Sequence, residues 1–78
     1  MNIKVLGPGC AKCHTLDKAV REVVEQNNIE ATVEYIKDMP RILEYPILTT
    51  PGLVINEKVV CTGRVPSNAE ILKMIQSA

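Results

Sequence analysis

The chain changes hydrophobic period abruptly near its amino end, and that change limits the folds open to it. Ile3, Val5 and Leu6 form a short apolar run that reads as a buried strand. Gly7-Pro8-Gly9 stops it. From Ala11 the pattern is different: Cys13, Leu16, Val20, Val23 and Val24 recur at three- and four-residue steps, the mark of a helix with one buried stripe. A strand that turns directly into an amphipathic helix opens an α/β unit. The turn delivers Cys10-Ala11-Lys12-Cys13 to the head of that helix.

The rest of the chain extends the pattern. Asn27-Asn28 offers a stop, and Ala31–Ile36 reads as a second strand. Asp38 can cap a short helix, with Pro40 tolerated in its first turn and Ile42 and Leu43 facing inward. Pro46 ends it. Leu53-Val54-Ile55 and Lys58–Thr62 are two strands joined at Asn56-Glu57, where a two-residue hairpin fits. Ser67-Asn68-Ala69-Glu70 matches a capping box, and Ile71, Leu72, Met74 and Ile75 give the last helix its buried face. The order βαβαββα predicts a right-handed parallel crossover followed by a hairpin with one antiparallel neighbour, in a four-stranded mixed sheet with helices on both faces. At 78 residues the chain is read as one domain, 1–78.

Composition excludes several functions. Nine basic and nine acidic residues cancel, and Tyr35 and Tyr45 are the only aromatics besides His14, so neither a nucleic-acid partner nor base stacking is indicated. No segment approaches membrane length and the first apolar run is too short for a signal peptide, so the protein is expected in the cytoplasm with no direct membrane insertion. Three cysteines do not make a paired extracellular framework. In a reducing compartment Cys-x-x-Cys points to redox or metal chemistry.

The spacing of Cys10 and Cys13 suits redox chemistry. Residues three apart on a helix have Cβ atoms roughly 5–6 Å apart, so a small side-chain adjustment makes or breaks a disulfide. The free N–H groups of the first helical turn favour a thiolate at Cys10. As a structural staple the pair would do little, since so short a loop is worth only about 2 kcal/mol by chain entropy. Lys12 is a candidate modulator of thiol pKa, against the plain reading of a solvated lysine. Cys61, in an apolar strand, reads as a buried inert thiol, and His14 as a surface histidine. Zinc would need four closed ligands, and no second Cys-x-x-Cys or His pair is present, so no metal is assigned. Tyr45 reads as a packing residue, Arg64 as an exposed arginine, and Met39 and Met74 as core or cap residues.

Three features together resemble the thioredoxin/glutaredoxin superfamily: Cys-x-x-Cys at the first strand-to-helix junction, Thr50-Pro51 before the third strand, and Gly63 before the last helix. The start Gly7-Pro8-Gly9-Cys10-Ala11-Lys12-Cys13 is similar to that of the small thioredoxin-like redox-active disulfide proteins of archaea and bacteria. The resemblance covers essentially the whole chain. It implies a thioredoxin-like three-layer sandwich and a thiol–disulfide oxidoreductase that reduces protein disulfides, with Cys10 as nucleophile and Cys13 as resolving thiol. Thr50-Pro51 would be a cis peptide beside the active pair, and Thr50 would offer its backbone to an extended substrate. The Cys10–Cys13 disulfide would be the only cofactor; the partners would be protein disulfides and an upstream disulfide reductase, and the protein a monomer. No aromatic precedes Cys10, and Ala11-Lys12 departs from the usual inter-cysteine pairs. The sequence also shows no buried carboxylate to assist the second cysteine, and Arg64–Asn68 does not match a glutathione site. The alternative is a soft-metal, copper-type carrier using the same pair, whose element order would be strand-helix-strand-strand-helix-strand.

Overall fold

The computed structural model describes residues 1–78. Its elements are β1 (Asn2–Leu6), α1 (Ala11–Gln26), β2 (Thr32–Ile36), α2 (Met39–Ile42), β3 (Gly52–Ile55), β4 (Lys58–Thr62) and α3 (Asn68–Gln76). This is the order read from the sequence, and it is not the order of the metal-carrier alternative. The four strands form one sheet ordered β2-β1-β3-β4. β1 runs parallel to β2 with Val5 opposite Tyr35, antiparallel to β3 with Val5 opposite Leu53. β3 and β4 are antiparallel.

Strand alternation sorts the core into two unequal layers. Ile3, Val5, Leu53 and Ile55 face α1 and α3 and pack with Leu16, Val20, Val23, Ile71 and Ile75. Leu6, Ile36 and Val54 face the other way, where Ile42 of α2 joins them. The second layer is thin because α2 is a single turn. Asp38 is its N-cap residue but makes no side-chain cap hydrogen bond. Leu43, expected to face inward, is instead 69% exposed: the helix ends at Ile42, and Leu43 as C-cap turns away from the sheet. Met39, expected in a core or cap, is also exposed.

Polar side chains finish the coverage of that face. The Lys4 ammonium donates to the Tyr45 hydroxyl at 2.8 Å and pairs with Glu57, and the Tyr45 O–H donates to Glu57 at 3.1 Å. Beside them Arg41 pairs with Glu34 at 2.8 Å. Tyr45 is thus a polar bridge between β1 and the hairpin as well as a packing residue.

The turns follow local chemistry. Asn56 and Glu57 both have positive φ (50° and 66°), the geometry of a type I′ hairpin. Ser67 and Glu70 form a complete capping box, with Ser67 Oγ accepting the Glu70 N–H and the Glu70 carboxylate accepting the Ser67 N–H. Arg64 adds an exposed ion pair to Glu70 at 3.0 Å.

Candidate active site

The strand β1 ends at Leu6, and the chain reverses through Gly7-Pro8-Gly9 into α1. Gly9 has φ +104°, a conformation that L side chains rarely adopt. The reversal leaves Cys10 as the N-cap of α1 in an extended conformation. Its Sγ accepts the Cys13 N–H at 3.4 Å, the place a Ser or Asp oxygen takes in an ordinary cap. Cys10 is exposed, Cys13 is completely buried, and both are free thiols.

The two thiols are driven apart in acidity. Cys10 is lowered from the ordinary value of 9.0, first by a hydrogen bond from the Cys13 thiol and then by the Cys13 N–H, with the Lys12 N–H adding to them. Cys13 is raised, first by burial and then by that same thiol interaction. The exposed sulfur is therefore the better thiolate and the covered one the better reserve. Lys12 contributes at Cys10 through its backbone N–H; its side chain is exposed.

Gly7 and Gly63, read from the sequence as a strand stop and as the glycine before the last helix, also define the space around the pair. A Cβ on Gly7 would lie 2.2 Å from Cys13 Sγ and 3.9 Å from Pro51 Cα. Only a hydrogen fits between β1 and the buried sulfur. The Thr50–Pro51 peptide is cis. The Pro51 carbonyl accepts the Gly63 N–H at 2.9 Å. Gly63 has φ +75°, and a Cβ there would lie 2.7 Å from Thr49 Oγ1. The Gly63 turn therefore holds the 49–51 loop from behind. The backbone N–H and C=O of Thr50 enter none of the chain's backbone hydrogen bonds. Leu48, two residues earlier, is fully exposed.

The remaining candidates fall outside this cluster or at its edge. Cys61 is half-buried rather than buried, because β4 is the outer strand of the sheet and is irregular opposite Leu53/Val54. His14 is exposed as expected, but its ring stands edge-on to Tyr35 at 5.6 Å, a contact that local periodicity does not reveal. Nowhere do three or more His, Cys, Asp or Glu side chains converge as a metal site would require. No helix is long and apolar enough to cross a membrane.

Comparison with known proteins agrees with this geometry. A family described as thioredoxin domain matches residues 1–76. The chain is similar to a thioredoxin of Methanothermobacter thermautotrophicus, 41% identical over 75 residues that cover 96% of this chain and 97% of the relative. It is also similar to a thioredoxin of Methanocaldococcus jannaschii, 32% identical over 75 residues, covering 96% and 86% respectively.

Proposed function

This chain belongs to the thioredoxin family and is a thiol–disulfide oxidoreductase, and we propose that Cys10 is its nucleophile and Cys13 its resolving thiol. The observation that carries the assignment is the division of labour between the two sulfurs, one exposed with a lowered pKa, the other covered with a raised one. The Cys10 thiolate attacks one sulfur of a substrate disulfide, forming a mixed disulfide and releasing the other sulfur as a thiolate. Cys13, one helical turn away, then attacks Cys10 Sγ. A Cys10–Cys13 disulfide forms, the mixed disulfide breaks, and the substrate leaves reduced. Two electrons have passed to the substrate, and the redox centre is the dithiol itself.

Thr50 and Pro51 are the proposed substrate contact. The support is the unpartnered backbone of Thr50, next to Pro51, which approaches Gly7 on the side where Gly7 meets Cys13; such a backbone suits an extended peptide pairing as an added strand. Exposed Leu48 extends the apolar surface there. The proposed partners are cytoplasmic protein disulfides and an upstream disulfide reductase that returns electrons to Cys10–Cys13, with the protein acting as a monomer.

The test is reduction of insulin disulfides with dithiothreitol as electron source. Wild type is expected to accelerate precipitation of the insulin chains, and the Cys10→Ser/Cys13→Ser protein is expected to match the protein-free control. Equal acceleration by the double variant would reject the assignment.

A further inference from the structure

Tyr35 carries a polar atom with no visible purpose. It lies on β2 opposite Val5 and faces the α1 side of the sheet, packed against the larger core layer. Its hydroxyl is buried and has no hydrogen-bond partner. A buried phenol O–H left unpaired costs free energy, and Phe would fill the same space without that cost. The polar atom is on the side of the sheet covered by α1, the helix that starts at the thiol pair. Its ring meets His14, the residue after Cys13, at 5.6 Å. Ionisation of Tyr35 is opposed first by burial and then by charge on Cys13 and Cys10. The phenol is thus close enough to Cys13 for a weak side-chain interaction with it to add to the upward shift, yet in the dithiol state no hydrogen bond of normal geometry is formed.

We infer that the Tyr35 hydroxyl is the hydrogen-bond donor that receives the Cys13 thiolate during the resolving step. The inference rests on the assignment of Cys13 as resolving thiol. Cys13 is covered in the resting dithiol, and an uncompensated thiolate there would be poorly solvated. A neutral thiol is a weak acceptor, which explains why the hydroxyl stands idle in the dithiol. Once Cys13 loses its proton to solvent, its sulfur becomes a strong acceptor and Tyr35 shares its proton without giving it up. The Cys13 thiolate then attacks Cys10 Sγ, the Cys10–substrate bond breaks, and the charge leaves on the substrate sulfur. Tyr35 returns to being unpaired beside the new disulfide. It takes no electrons and forms no covalent bond; it is a positioning residue for the second sulfur.

Other charged groups face the same space. Cys10 and Asp17 oppose Tyr35 ionisation from α1 and its cap, with Asp17 itself paired to Arg21 at 3.0 Å. His14 lies at the ring edge, and Lys37 places its ammonium 4.8 Å from the ring centroid. These groups are left intact by Tyr35→Phe, which removes one oxygen.

The experiment uses a Cys61→Ala background, so that only the active pair reacts. Reduced protein is mixed with Ellman's reagent, and the two releases of thionitrobenzoate are followed from pH 6 to 10, the second release being the attack of Cys13. For Tyr35→Phe, the first release is expected at the parent rate. The second is expected to slow about tenfold at neutral pH, with its inflection about one pH unit higher, the size of one charged hydrogen bond. In Cys10→Ser/Cys61→Ala protein, the Cys13 Cβ resonance should titrate higher by the same amount when Tyr35→Phe is added. Thermal unfolding of the reduced Tyr35→Phe protein should occur no lower than in the parent. An unchanged second release with an unchanged Cys13 titration would overturn the inference, as would equal slowing of both releases, the mark of general disruption. If the parent itself gives no second release, the assignment of Cys13 fails instead.

Discussion

A single hydrogen on Gly7 lets Cys13 lie sealed against the sheet. With 2.2 Å between Cys13 Sγ and the position of an added Cβ, Gly7→Ala must displace the cysteine or the β1 terminus. Overpacking of this kind costs about 1–3 kcal/mol, so the urea midpoint of the reduced protein should fall, and a midpoint equal to wild type would contradict the contact. The acidity of the pair makes a second expectation. Because Cys10 lies below 9.0 and Cys13 above it, alkylation of Cys10 should reach half its plateau at lower pH than a free thiol, and Cys13 at higher pH. Mass spectrometry of partially alkylated protein measures both; reversed order would remove the basis for the assigned roles. The spacing of the two cysteines at a helix start is a local property and could be read from the chain. The fit of Cys13 against Gly7 joins residues on two elements, and so does the approach of Tyr35 to the thiols. Nothing in local periodicity could have shown either.

At the level of elements, strand and helix positions follow from period and punctuation, because each long element has one buried face and clear ends. Ser67 and Glu70 illustrate this: the capping box was legible as four residues and is formed in full. Ser67→Ala should lower stability by about 1 kcal/mol, measured by urea unfolding, and no change would mean that the box is replaced by solvent at no cost. The short α2 was legible only in part. Its position followed from Asp38 and Pro40, but a one-turn helix has too few residues for period to say which way Leu43 points. The cover of that face by Lys4, Tyr45 and Glu57 was hidden for another reason, since the three lie far apart in the chain and meet only when β1 and the hairpin pair. Their interaction lowers the Glu57 carboxyl, chiefly through the Lys4 hydrogen bond, from 4.5. The unfolded chain then binds this proton more readily than the folded one. Its contribution to stability is complete above 4.5 and is lost as pH falls through the lower folded value. Acidification below 4.5 should therefore lower the melting temperature less in Glu57→Gln than in wild type, and equal acid sensitivity would show that the pair contributes nothing.

For the molecule as a whole, the sheet supplies the rigidity that exchange chemistry needs. The larger core layer ties α1, which carries both cysteines, to β1, β3 and α3. Leu16, one turn beyond Cys13, is fully buried in that layer, whereas Leu48 is fully exposed. Truncating Leu16 to Ala should cost about 2–5 kcal/mol, a large share of the stability of so small a protein, while Leu48→Ala should leave the unfolding midpoint nearly unchanged. The two outcomes separate what holds the thiols in place from what is presented to a substrate. The most direct measurement of the central claim is the covalent species formed with a disulfide peptide. With Cys13→Ser protein, intact-mass and fragment analysis should find one peptide linked through Cys10 and persisting, and with Cys10→Ser protein no such adduct at Cys13. A stable adduct on Cys13 in place of Cys10 would contradict the account.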